Sequence, residues 1–443
     1  MGTAREVVHK RFRTISSRGM PVWLYQAESL PHRMFISGSE KTVVDSVRTY
    51  GECTKGDLAA LTDYSRTKVT SCVDSLLDKK ILVANPLTEY SGGRRSKTFR
   101  LNDKLGLVAG MDIGATSIDL AISHFSGTIL ARYAEPASVK DGPIKILGRA
   151  CSLLETMLKE NGLSPDKMYG IGIGVPGPVD FSVGTLVSPP IMPGWDCYPI
   201  IQTVQQWFPS ANVVVDNDVN VMALGELSEG AAQAVDNLIF VKIGTGIGAG
   251  IICDGKIYRG SNGCAGDIGH ISINKSGSLC HCGNYGCLET VAGGPAIAER
   301  SLQAAQAGKS PILLEHYEKN GQVLRAEDVG EAAREGDALA IELIRESGQV
   351  VGEVLAGLVN FYNPDMIVIG GGVSNLGNLL LSSIRQAIFS RSLPLATRNL
   401  QIVFSEIGPN AGVFGAVNLA LNYIFTVEAA NGSGTRTAAV EQP

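Results

Sequence analysis

Apolar positions recur with a helical period from Glu40 onward. Val43, Val44, Val47 and Tyr50 form one stripe, ended by Gly51. Thr54 is placed to cap a second helix with Leu58, Ala59 and Leu61 turned inward. Thr62, Asp63 and Tyr64 form a turn, and Ser65 caps a third helix whose inner face is Val69, Val73, Leu76 and Leu77. The apolar run 81–83, a Gly-Gly-Arg-Arg loop and the strand 98–101 then read as a wing. Residues 1–37 lack any period, carry Arg11, Arg13 and Arg18 and two prolines, and are expected to be irregular.

From Leu107 the period changes. Short apolar runs at 107–111, 169–175, 213–215, 238–243, 249–253 and 366–369 are separated by glycines, with helical stretches at 145–160, 337–361 and 412–424 between them. This alternation predicts an α/β body over 106–425 behind a winged helix-turn-helix at 38–102. Residues 426–443 hold little apolar material and are expected to be a disordered tail.

Charge divides along the same boundary. Residues 1–102 carry 17 Lys/Arg against 10 Asp/Glu, while the whole chain is net −5, so the body is strongly acidic. A basic front on an acidic body points to a polyanion partner for the front alone. In the third helix Ser65, Arg66 and Lys68 are offered at the N-terminal turn, and the wing adds Arg94, Arg95, Lys97 and Arg100. That is the disposition of a module that reads a DNA major groove with one helix and follows the backbone with its wing. A three-helix protein-contact module is the plainer reading, and the basic wing argues against it. There is no secretory h-region or long apolar run, so a cytoplasmic location without membrane association is expected.

The body carries three kinds of chemistry. Asp112, Gly114 and Thr116 stand in a strand-turn-strand where backbone N–H groups can meet a phosphate and Asp112 can hold hydrated Mg²⁺. Gly244, Thr245 and Gly246 repeat that arrangement after the strand 238–243, and Gly371 sits in a third glycine turn suited to a nucleotide's adenosine. The strand 213–215 ends in Asp216-Asn217-Asp218, a plausible general base beside a sugar-orienting amide, although either aspartate could instead cap the next helix. Finally, His270, Cys280, Cys282 and Cys287 supply one imidazole and three thiolates, which satisfy a structural, tetrahedral Zn²⁺.

These stretches resemble the ROK family, named for repressors, open reading frames and kinases. The most specific are 170–180 (Gly-Ile-Gly-Ile-Gly-Val-Pro-Gly-Pro-Val-Asp), 193–196 (Pro-Gly-Trp-Asp), 216–226, 244–250 and 266–289. The resemblance implies a two-lobed actin/hexokinase-like fold with a sugar between the lobes. It makes Asp218 the catalytic base, Asn217, His270 and Glu289 sugar contacts, and His270 with the three cysteines zinc ligands. Asp267 stands where family kinases usually carry Glu, one methylene longer, so its contact with a sugar hydroxyl is expected to be less direct or through water. The N-terminal module looks like that of the family's regulators of carbohydrate genes. The implied function is a sugar- or sugar-phosphate-responsive regulator, expected to be a repressor, binding operator DNA as a homodimer or homotetramer. An ATP- and Mg²⁺-dependent hexose or N-acetylhexosamine kinase is the alternative. A regulator controlled by protein docking is a third reading.

Overall fold

The computed structural model describes residues 34–85, 97–233 and 235–427. Most of the N-terminal segment, Arg94 and Arg95 of the wing, and the tail beyond 427 lie outside the described residues.

The chain opens with a strand β1 (Met34–Ile36), then α1 (Gly38–Tyr50), β2 (Cys53–Thr54), α2 (Lys55–Thr62), α3 (Arg66–Asp78), β3 (Leu82–Asn85) and β4 (Thr98–Leu101). Local capping chemistry sets the boundaries. Ser37 and Glu40 form a reciprocal capping box on α1, Thr54 and Asp57 another on α2, and the Ser65 side chain caps α3. Asp63 takes the left-handed conformation that turns α2 into α3. Strands β2, β4 and β3 form an antiparallel three-stranded sheet, so the module is three helices with a wing sheet. Two expected inward residues differ: Tyr50 and Leu61 are exposed. Each lies at the last turn of its helix, past the point where the neighbouring helix covers the stripe.

The body is two lobes of matching topology. In lobe one, β5 (Leu107–Ile113), β6 (Ser117–His124), β7 (Ile129–Pro136), β8 (Met168–Val175), a small hairpin β9 (Val179–Asp180) and β10 (Thr185–Leu186), and β11 (Asn212–Asn217) follow in sequence. The main sheet runs β7-β6-β5-β8-β11, covered by α4 (Pro143–Glu160) and α5 (Ile200–Trp207). Helix α6 (Asp218–Glu229) leads to lobe two, with β12 (Leu238–Ile243), β13 (Ile247–Cys253), β14 (Lys256–Tyr258), β15 (Met366–Gly370) and β16 (Gln401–Phe404). That sheet runs β14-β13-β12-β15-β16. In both lobes the first three strands are antiparallel neighbours and the last two join parallel to the first. A helical insert lies between β14 and β15, ending in α7 (Ala338–Tyr362).

The last helix, α8 (Ala411–Ile424), returns to lobe one and is followed by β17 (Phe425–Val427). It lies directly on the lobe-one sheet because Gly172 has no side chain; a Cβ there would overlap the backbone of Ala416. This accounts for the glycine-rich writing of 170–174 in physical terms. Alongside, α8 crosses α6 with Gly225 and Gly415 at the contact.

The N-terminal module is docked on lobe one rather than tethered to it. β1 pairs in parallel with β17, so the segment expected to be irregular contains a strand at 34–36, and the expected tail begins with one. Neither run has the length or alternation to announce itself; each exists because the other supplies its backbone partners. Ile36, Val43, Val47 and Leu76 share one core with Phe125, Val417, Leu421, Ile424 and Phe425. The Phe125 ring meets Tyr169 and Phe425 edge-on, with centroids 5.2 and 6.1 Å away. Arg48 of α1 donates to the Asn422 side chain of α8 at 2.8 Å. No helix among the described residues is long and apolar enough to cross a membrane.

Candidate functional site

The ends of β5, β8 and β11 line up in one row, Asp112 and Asp216 each standing in register with Gly174. Asn217 then caps α6, its side-chain oxygen accepting from the N–H groups of Val219 and Asn220. The cap is therefore Asn217, not Asp216 or Asp218, and its amide nitrogen donates to the Gly177 carbonyl at 3.0 Å. Its first duty is to fix the start of α6, which frees both aspartates to face the cleft.

Each aspartate reaches a cation of lobe two. Asp216 accepts from Arg259 at 2.8 Å, with Asn220 bonding its other oxygen, and the Arg259 guanidinium stacks on Phe181 at 3.8 Å. Asp218, 4% exposed, accepts from the Lys242 ammonium at 2.5 Å. Asp112 stands in the same charge cluster. Burial pushes its carboxyl up to about 7, the Lys242 charge opposing and Asp218 and Asp119 adding to the rise. Its Oδ1 is shielded from solvent without a hydrogen-bond partner among the described residues. Its other side abuts Gly412 in the first turn of α8, where any Cβ would overlap the carboxylate. Burial pulls the Lys242 ammonium down, but Asp218 and Asp112 outweigh it and hold its pKa above the ordinary lysine value.

The two glycine turns occupy equivalent places. Gly114 donates to the Ser117 carbonyl and Gly244 to the Gly246 carbonyl, each at 2.9 Å, closing the turn after the first strand of its lobe. Thr116 and Thr245 are exposed at the tips. Gly371, at φ +84°, lies against the Ile243 backbone, which puts the third glycine turn beside the second. Trp195 of the 193–196 stretch is fully buried and donates to the Val139 carbonyl at 2.9 Å, while the Val139 N–H reaches the Ala115 carbonyl. That stretch braces the first turn.

Across the cleft, His270, Cys280, Cys282 and Cys287 converge, with their ligand atoms all within 4.8 Å of one another, a group able to hold a metal ion. Glu289 accepts from the Cys280 thiol at 2.9 Å and approaches Gly246 and Gly269, which places it between the cysteine loop and the second turn. Asp267 is open to solvent yet crowded. Desolvation by the surrounding protein raises its pKa, with His270 opposing and Glu289 and Asp218 adding to the rise. Asp218, Asp267, His270 and Glu289 thus gather around one space. Lys242, Arg259 and the pairing of Asp216 are additions that the sequence reading missed. The available signal was a lysine in the otherwise apolar strand 238–243, one place before Ile-Gly, as Asp112 stands before Ile-Gly in lobe one.

On the N-terminal module, Ser65, Arg66 and Lys68 are exposed together at the first turn of α3, and the Lys68 ammonium lies 3.9 Å from the Tyr64 ring centroid. Lys97 is exposed at the wing. Arg100, expected to join it, is instead paired with Asp103 at 3.2 Å and bonded to Asn85.

Two lobes with matched sheets, a polar cleft between them and a winged helix-turn-helix docked on the first define a regulator-type, sugar-kinase-like protein. The chain belongs to the ROK family, whose model matches residues 108–423. It is 32% identical over 367 residues to a xylose repressor of Caldicellulosiruptor bescii, covering 82% of this chain and 90% of that one. A ROK family transcriptional regulator homologous to the Escherichia coli MLC protein superposes with a TM-score of 0.72 at 28% identity, over 87% of this chain and 97% of the other. A ROK family glucokinase from Streptomyces griseus, solved with glucose and AMPPNP, gives 0.64 at 32% identity, over 72% of this chain and all of that one.

Proposed function

We propose that this chain is a sugar-responsive transcriptional repressor. The observation that carries the reading is the double attachment of α8: its first turn abuts Asp112 in the cleft, and its last turn shares a core with the DNA module. Ser65, Arg66 and Lys68 meet operator DNA, helped by Lys97 and the wing arginines Arg94 and Arg95. The sugar lies against Asp218, Asp267, His270 and Glu289, with Asn217 holding the start of α6. Repressor and regulator relatives match 82% and 87% of this chain, whereas glucokinases match 69% and 72% and leave the N-terminal module out, which supports this over a stand-alone kinase. The protein works in the cytoplasm as a homodimer or homotetramer. Phe361, Leu393 and Leu395, exposed near the end of α7, offer an apolar face for self-association.

The cysteine loop suits zinc. Tetrahedral Zn²⁺ with Zn–S near 2.3 Å spaces its ligands about 3.7 Å apart. Cys282 and Cys287 sulfurs are 3.7 Å apart and Cys280 lies 3.6 Å from His270 Nδ1. His270 would then link the metal to the sugar space, so the ion's part is to order the loop.

Fluorescence anisotropy on an operator fragment tests the reading. Arg66→Ala should weaken binding about tenfold or more, and loss of one phosphate contact should lower the salt slope by about 1. A hexose or N-acetylhexosamine that binds by calorimetry should change operator affinity at saturation. Sugar binding that leaves operator affinity untouched sinks the proposal.

The paired glycine turns favour a second reading, an ATP-dependent sugar kinase with Asp218 as base. Gly114, Thr116, Gly244, Thr245, Gly246 and Gly371 suit ATP phosphates and adenosine. Asp112 offers one carboxylate to Mg²⁺, but the cation nearest Asp218 is already a lysine. ADP release that depends on sugar and vanishes in Asp218→Asn would establish turnover.

A further inference from the structure

The corner where a kinase would pass a phosphoryl group contains Asp112, Asp218 and Lys242. Asp112 and Lys242 hold the same position in their lobes: each is the penultimate residue of the first strand, followed by Ile-Gly and a tight turn. Lobe one places a carboxylate there and lobe two an ammonium. Asp218 starts α6, the helix leading from one lobe to the other. The Lys242–Asp218 contact is 2.5 Å, with side-chain exposures of 24% and 5%. At that distance in a largely dry corner the two charges attract strongly, and removing either one alone leaves the other buried and unpaired.

We infer that Lys242 is the built-in counter-ion of this corner, so that the cleft binds its sugar without a divalent metal and phosphoryl transfer is braked. This inference rests on the sugar-binding reading proposed above. Two consequences of the geometry argue for it. Lys242 occupies Oδ2 of Asp218, one of the two oxygens able to take a proton from a sugar hydroxyl. A carboxylate held by an ammonium is a weaker base, yet its second oxygen still accepts a hydrogen bond. Asp218 then serves recognition more than proton transfer. The positive charge also repels a divalent cation from the neighbouring Asp112, whose Oδ1 has no hydrogen-bond partner among the described residues.

In the uninhibited reaction, the sugar oxygen forms a bond to the γ-phosphorus of ATP while the bond to the β-bridging oxygen breaks. The hydroxyl proton goes to Asp218, and ADP leaves. That step needs a carboxylate free to take the proton and a metal to share the phosphate charge. Lys242 withholds both.

The test compares wild type with Lys242→Met, which keeps the stem and removes the charge, and Lys242→Arg, which keeps the charge. Mg²⁺ titration without nucleotide is the first readout, since this hard ion prefers oxygen ligands over a Cys/His loop. Lys242→Met should bind Mg²⁺ at least tenfold more tightly than wild type, and Lys242→Arg should not. Sugar-dependent ADP release should rise at least tenfold in Lys242→Met alone. If Lys242→Met binds sugar but gains no Mg²⁺ affinity, the inference is overturned. Should Lys242→Met fail to fold, Lys242→Gln takes its place under the same criteria. If wild type binds no sugar in the panel, the functional reading fails, and the Mg²⁺ comparison still decides the role of Lys242.

Discussion

The two lobes share a strand order and an Ile-Gly turn after the first strand, yet they carry opposite charges and different loads. Lobe one brings Asp112, Asp216 and Asp218 to the cleft and bears the DNA module through α8 and β17. Lobe two brings Lys242 and Arg259 and bears the cysteine loop. Two cross-lobe ion pairs, Asp216–Arg259 and Asp218–Lys242, therefore join the lobes at the mouth of the Asp-Asn-Asp turn. The comparison teaches that a repeated scaffold can be divided by function: one half anchors the DNA module, while the other shapes the ligand space and supplies the counter-charges. A sugar held between them would alter how the halves meet, and α8 adjoins both the cleft and the module.

The largest expected effect separates the loads. Chelation, or Cys287→Ser at a fully buried member of the proposed zinc site, should disorder the loop that carries His270 and weaken sugar binding by about 10- to 100-fold. Operator affinity in the absence of sugar should stay within about twofold, because the module's core lies on lobe one and lacks lobe-two residues. Calorimetry and anisotropy on the same preparations check both halves. Equal losses in the two measurements would mean that the lobes do not divide the work this way.

A smaller effect tests the joint. Lys242→Met leaves Asp218 buried without its cation, and Asp218→Asn leaves the ammonium without its anion. Each should cost about 2 kcal/mol, less than for a fully dry pair because Lys242 is 24% exposed. The double variant should lose less than the sum of the singles, by about 2 kcal/mol, when followed by denaturant unfolding. Additive losses would show that the two charges sense each other weakly and would remove the joint from the comparison.

Much of this was legible in the sequence, and the remainder was hidden for identifiable reasons. Periodicity gave α1, α2 and α3, and the caps Thr54 and Ser65 were legible because each acts within three residues of itself; Ser37 caps α1 the same way but fell in the segment expected to be irregular. The cysteine loop was legible because its three sulfurs lie within eight residues of one another. Pairing across distance was not. Asp218 meets Lys242 and Asp216 meets Arg259 only after two sheets have formed. Nothing local foretells β1, whose partner β17 lies at the other end of the chain. Arg48, written like a solvent-exposed helix residue, is half-buried against Asn422 for the same reason, and desolvation lowers its pKa.

The smallest effect concerns the load on lobe one. Glu40 joins the α1 capping box to α3, accepting from Ser75 at 2.6 Å and Lys79 at 2.9 Å. Burial alone would raise its pKa, but these bonds and the Ser37 N–H bring the carboxyl from 4.5 down to about 2. A depressed acid stabilises the fold above its unfolded value, and that contribution is lost as pH falls from about 4.5 towards 2. Lys79 is 39% exposed, so solvent screening reduces the contribution to about 1–2 kcal/mol. Glu40→Gln should therefore lower hydrogen-exchange protection of residues 38–78 at pH 7, with the difference from wild type shrinking in acid. Peptides from β12 and β15 should exchange alike in both proteins, because the lost bonds lie wholly within the N-terminal module. Parallel loss in those strands would show that the module, lobe one and lobe two open as a single unit, and the division of labour between the lobes would then be chemical rather than mechanical.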